Sequence, residues 1–252
     1  MKRGQEMERL HGGAAIISDE GYTHTEGTRQ YRIPVSKARG ARDIAQTVSR
    51  YGEGRSQAWR NPTAEEVLYV ASGEGACLID GHRYQLAPGT AVYVPPASTC
   101  QVDSRGALVV ISVRCPEDDP LTVEAVSAAP LDTTPLRTVR EADQQAIATG
   151  DRTFKLLINQ ASGASRITQF VGVIPPGRAP LHHHTYEEAI YILEGEGRVW
   201  TPSGDAPFRA GSSIYLPRGV SHSLENTGTA NIRLLGVFHP SGSPATRYDD
   251  ER

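Results

Sequence analysis

Glu187-Glu188-Ala189-Ile190-Tyr191-Ile192-Leu193-Glu194-Gly195-Glu196-Gly197 has a counterpart 122 positions earlier, Glu65-Glu66-Val67-Leu68-Tyr69-Val70-Ala71-Ser72-Gly73-Glu74-Gly75. The same shift sets Gly211 on Gly89, Tyr215 on Tyr93 and Pro217 on Pro95. Turn glycines and a proline make specific backbone demands, so one shift that superposes them reports the same turns in the same order. The chain is two copies of one β unit.

Working outward, short apolar runs at 64–70, 76–79 and 91–94 read as strands of the first copy, and runs at 167–174, 189–193, 213–216 and 232–238 as strands of the second. Residues 1–27 are polar and weakly periodic, and read as a mobile or partner-contacting arm. The first unit then covers 28–116 and the second 151–245. Between them, residues 117–150 are rich in acids and prolines, as expected of a connector laid over the surface. Residues 246–252 form a polar tail. One short helix, around 140–147, is expected.

The 25 glycines and 17 prolines in 252 residues favour many short strands over long helices, so the expected class is all-β. Lys and Arg total 26 against 29 Asp and Glu, a formal charge of −3, and no basic stripe interleaves with aromatics; nucleic acid is not an expected partner. No run approaches the ~20 apolar residues needed to cross a bilayer. Met1-Lys2-Arg3 is followed by Gly4-Gln5-Glu6-Met7-Glu8, not by the apolar core of a secretory signal. Cys77, Cys100 and Cys115 show no C-x-x-C spacing, as where thiols stay reduced, and a cytoplasmic location is expected.

Leu181-His182-His183-His184-Thr185-Tyr186-Glu187-Glu188 carries the chemistry. On a strand, successive side chains alternate faces, so His182 and His184 point one way and His183 the other. A hairpin into the next apolar run would bring the Glu188 carboxylate beside them. His222, after the strand and proline-glycine turn that run from Gly211 to Gly219, is the fourth candidate. A lone histidine is ordinarily a surface or core residue; four donors in two ordered motifs point to a metal. Three neutral imidazoles and one carboxylate leave a divalent ion at +1, with two octahedral positions open.

Both motifs resemble those of the cupin superfamily. His182, His184, Glu188 and Gly195 match H-x-H-x3-E-x6-G, and Gly211, Pro217, Gly219, His222 and Asn226 match G-x5-P-x-G-x2-H-x3-N. The family places its opening glycine one residue further upstream than Gly177, which shifts a turn and not a ligand. The resemblance implies two tandem jelly-roll barrels of the double-stranded β-helix type, with one divalent transition metal in the second. Fe or Mn is expected, and Ni, Co, Zn and Cu also suit the ligand set. Glu188 could also act as a catalytic base. Gln169, Phe170, Tyr186 and Arg178 are the candidates to meet substrate, and His239 reads as a solvated strand end.

At the counterpart positions the first barrel has Arg60, Pro62, Glu66 and Cys100. A charged arginine is no metal ligand and proline has no side-chain donor, so no metal is expected there. Arg60 is expected to pair with Glu66, Cys100 to be a buried small residue, and the barrel to serve packing or a homodimer contact.

The resemblance implies a metal-dependent enzyme on a small oxygenated molecule. A dioxygenase-type oxidoreductase, like quercetinase-type cupins, is the leading expectation; decarboxylation or isomerisation would need the same ligands. A hydrolase resembling ureidoglycine aminohydrolase shares the layout but not the ligand order. A non-catalytic binding protein is the remaining class.

Overall fold

The computed structural model describes residues 7–17, 21–124, 135–246 and 248–249; the rest of the expected arm, connector and tail lies outside the described residues. Among them every regular element is a strand or a 3-10 turn, and all strand pairs are antiparallel. No helix is long and apolar enough to cross a membrane. The two barrels are confirmed, each built of a large sheet facing a small one. In the first, Thr90–Val94, Glu65–Ser72, Leu108–Cys115, Ala45–Tyr51 and Arg29–Val35 run side by side and face His82–Leu86, Gly75–Ile79, Thr99–Ser104 and Ala58–Arg60. In the second, Ser213–Leu216, Glu187–Glu194, Ile232–His239, Thr168–Ile174 and Arg152–Ile158 face Gly177–Arg178, Ser223–Asn226, Glu196–Thr201 and Gly204–Arg209.

The unbroken apolar runs of the sequence are explained by burial on both faces. Leu68 and Val70 point into the first barrel, whereas Val67 and Tyr69 join a third apolar layer between the barrels. Ile190 and Ile192 likewise fill the second barrel, and Ala189 joins that middle layer with Val171, Leu235 and Val237. The repeated glycines do the same work twice. Gly73 and Gly195 take φ of 85° and 91°, and a Cβ on Gly75 or Gly197 would stand 2.6 or 2.0 Å from a carbonyl of the neighbouring strand.

The paired glutamates divide their tasks. Glu65 accepts from the amides of Ser165 and Arg166 (both 2.9 Å) and from the Ser165 hydroxyl (2.6 Å). Reciprocally, Glu187 accepts from the amides of Arg42 (3.1 Å) and Asp43 (2.9 Å) and from the Tyr215 hydroxyl (2.8 Å). Each buried carboxylate thus accepts from backbone donors of the opposite barrel, while Glu66 and Glu188 turn into their own.

Three expectations are corrected. Residues 7–17 are no loose arm: Ala15–Ile17 pairs with Ser213–Leu216 at the edge of the second barrel, and Ala14, Ala15, Ile16 and Ile17 are buried. The connector is not merely laid over the surface, since Leu121–Val123 pairs with Ala58–Arg60 and Thr138–Arg140 with Thr90–Val94 of the first barrel. The leading strand of each copy therefore completes the sheet of the other. The helix expected at 140–147 is a 3-10 turn, Glu141–Asp143, followed by the strand Ile147–Thr149. No side chain caps the turn's start, and Gly150, at φ 64°, closes Ile147–Thr149 into a hairpin with Arg152–Ile158.

Candidate metal centre

Two backbone stitches build the site. His182 and His222 form a two-way bridge, N to O at 3.0 and 2.8 Å, and the Gly219 amide donates to the His184 carbonyl at 2.8 Å. This corrects the expected hairpin into residue 187: the neighbour of His182 is His222, and His182–His183 pairs on its other side with Tyr248–Asp249 of the tail. The three imidazoles converge, with ring centroids 4.8 to 5.3 Å apart and nitrogens within 4.8 Å of one another.

Each ring is oriented by a carbonyl. Nδ1 of His182 lies 3.1 Å from Pro180 O, that of His184 3.1 Å from Thr246 O, and that of His222 2.8 Å from Val220 O. A carbonyl only accepts, so Nδ1 carries the proton and Nε2 the lone pair, the tautomer a metal requires. His222 is 3% exposed, and burial with the neighbouring His182 lowers its pKa to about 4, leaving the ring neutral. These residues fit a divalent ion.

Glu188 lines the same cavity but stands outside the three-histidine cluster, with Oε1 turned toward Gly236. Burial raises its pKa to about 8. A cation beside it would offset that penalty on the charged form. The cavity measures about 600 Å³ with its open mouth, and its walls include Phe154, Phe170, Leu224, Leu234 and Phe238. The walls also include Thr149 and the largely buried Arg152, whose Nη2 donates to Leu224 O at 2.8 Å.

Of the four residues expected to meet substrate, the cavity receives Phe170 alone. Gln169 lies on the opposite face of its strand, fully buried between the barrels, with neither amide atom hydrogen-bonded among the described residues. The Tyr186 ring stacks on His184 at 4.6 Å and its hydroxyl donates to Ser243 O at 2.9 Å, so it buttresses a histidine. Arg178 is exposed and stacks over Trp200 at 3.9 Å. His239 is partly buried, with Nδ1 3.1 Å from Arg166 O. Arg152, Thr149 and Leu224 were missed. In this stretch the repeat is offset by 123, since Lys37–Arg39 superposes on Gln160–Ser162, which places Arg152 opposite Arg29.

At the counterpart positions of the first barrel Cys100 is buried as expected, and the Arg60–Glu66 pairing is corrected. Arg60 is exposed; Glu66 instead accepts from Trp59 Nε1 at 2.9 Å and Asn61 Nδ2 at 2.8 Å. Ala58–Arg60 is a strand, and its alternation turns Trp59 toward the interior and Arg60 out. Cys100 is buried, its sulfur 3.2 Å from that of Cys77, and burial pushes its thiol pKa well up.

A cupin domain profile matches residues 48–114 and 170–238. An oxalate-binding protein of Thermotoga maritima is 42% identical over 67 residues, 26% of this chain and 55% of that one. Protein SchB of Streptomyces halstedii is 36% identical over 86 residues, 33% of this chain and 61% of that one. The matched segments thus span little more than half of these curated relatives. An oxalate decarboxylase structure from Bacillus subtilis superposes with a TM-score of 0.76 and 14% identity, over 96% of this chain and 80% of that one, which shows a shared fold. Since the profile matches a stretch in each barrel, and more than half of the residues together, the chain belongs to the cupin domain family.

Proposed function

We propose that the second barrel is a metal-dependent active site that decarboxylates a small organic acid with an apolar body. His182, His184 and His222 hold the ion, Glu188 is the fourth ligand, and Mn is the favoured metal; the oxalate decarboxylase of Bacillus subtilis, which shares the fold, has Mn(II) centres. The observation that carries the reading is the trio of histidines, each fixed by a backbone carbonyl, at the wall of a largely apolar cavity.

A bound divalent ion supplies Lewis acidity, drawing electron density from a carboxylate or carbonyl oxygen. Arg152, in the cavity wall, orients the acid by charge-assisted hydrogen bonding. Phe154, Phe170, Phe238 and Leu234 replace water around the carboxylate, whose charge disperses as CO2 leaves. The bonding pair of the broken C–C bond stays on carbon and takes up a proton. Solvent at the open mouth supplies that proton, because Glu188, the only carboxyl group among the described lining residues, is held ionised as a ligand. The largely apolar lining favours an acid with an apolar body over a bare diacid such as oxalate.

The dioxygenase expectation rested on the ligand set, which decarboxylation needs equally. Mn-loaded protein should release CO2 from aliphatic or aromatic keto acids in preference to oxalate, without oxygen uptake. Substrate-dependent oxygen uptake would return the reading to an oxygenase, and failure to take up any divalent metal would overturn it.

A further inference from the structure

We propose that the first barrel is a second, metal-free binding site whose ligand is an organic anion with a flat, aromatic body. Its mouth opens a cavity of about 840 Å³, including the opening, bounded among others by Arg29, Tyr31, Thr47, Trp59 and Arg114. The two barrels build their cavities from corresponding positions. Arg29 answers to Arg152 and Tyr31 to Phe154 in the aligned strands Arg29–Val35 and Arg152–Ile158. Where the second barrel has Phe170 and Phe238, the first has Thr47 and Arg114. Histidines and two phenyl rings have thus given way to a guanidinium, a hydroxyl and an indole.

These replacements offer unused recognition. Thr47 is 1% exposed, yet its hydroxyl has no hydrogen-bond partner among the described residues. Arg114 is 8% exposed, and its guanidinium makes one hydrogen bond there, Nε to Asp118 O at 3.0 Å. That leaves the planar Nη edge for a carboxylate or similar anion. Arg29 lies 4.4 Å over the Tyr31 ring and 5.8 Å from that of Trp59, so a flat ligand would meet a continuous cationic and aromatic wall. Of the acids nearby, Glu66 is held by Trp59 and Asn61, Asp119 is exposed, and Glu26 accepts from the Tyr31 hydroxyl at 2.7 Å and lies 4.0 Å from Arg29 Nη1, which leaves Arg114 as the principal anion contact.

The site needs no metal, so its test is independent of the second barrel. Trp59 and Trp200 are the only tryptophans. In a Trp200→Phe background, benzoate should quench Trp59 fluorescence saturably, and the neutral benzamide should not. Binding should persist in EDTA and in His222→Ala, and weaken at least ~10-fold in Arg114→Met, the loss of one charge-assisted contact. If Arg114→Met fails to fold, Arg29→Gln should weaken binding in the same direction. No saturable response at millimolar benzoate, equal quenching by benzamide, or loss of binding in His222→Ala would each overturn the proposal.

Discussion

Truncation after Gly242 removes the segment that braces two of the three histidines. The deletion takes away Thr246 O, the acceptor 3.1 Å from His184 Nδ1, and Ser243 O, which holds the Tyr186 hydroxyl at 2.9 Å against that same ring. It also removes Tyr248–Asp249, paired with His182–His183. A hydrogen bond of this kind is worth about 0.5–1.5 kcal/mol net. Two or three of them add up to ~1–4.5 kcal/mol of lost ring orientation, a range that contains the ~10- to 100-fold weaker metal complex usual for such losses. The barrels themselves should survive, because their strands and all three apolar clusters lie before Ser243. Titration of Mn(II) against a competing chromophoric chelator would measure the affinity, with circular-dichroism melting as the control. A truncated protein that melts normally and binds Mn(II) within about threefold of the full chain would refute the view that the tail sets the histidines.

Glu187→Ala and Glu65→Ala should each cost about 2–4 kcal/mol in urea unfolding, since each removes the charged acceptor of two backbone amides and a hydroxyl. His222→Ala should abolish metal uptake in elemental analysis while Cys100→Ala leaves it unchanged; equal loss in both would point to unfolding. Burial raises the pKa of Tyr51 and of Cys115 to about 12. Both groups are therefore protonated in the native state where the unfolded chain has begun to lose protons. Their stabilisation is complete below pH ~9 and disappears as the pH rises through 12, so thermal midpoints should fall steadily above pH ~9. The three native thiols should resist Ellman's reagent at pH 8 and react once the chain unfolds, because all are buried.

The two motifs were legible because they are local. Gly195 and Gly211 mark turns by their left-handed backbone, and His182 and His184 share a face by strand alternation alone. Gln169 and Phe170 show where that reading fails. Neighbours on one strand, one faces the cavity and the other the layer between the barrels, and apolar character on both faces hid which was which. Tyr186 and Arg178 failed for a related reason, since proximity in sequence to the histidines says nothing of the side on which a ring or guanidinium packs.

By itself, then, the sequence determined the duplication, the all-β class and the three converging histidines, each of which follows from backbone demands acting over a few residues. Tertiary structure alone decided that each copy lends its leading strand to the other, that the tail carbonyls orient His184 and Tyr186, and that Trp59, not Arg60, meets Glu66. Those contacts join residues far apart in the chain or depend on strand register, and both are selected by the packing of the whole molecule, not by any local pattern.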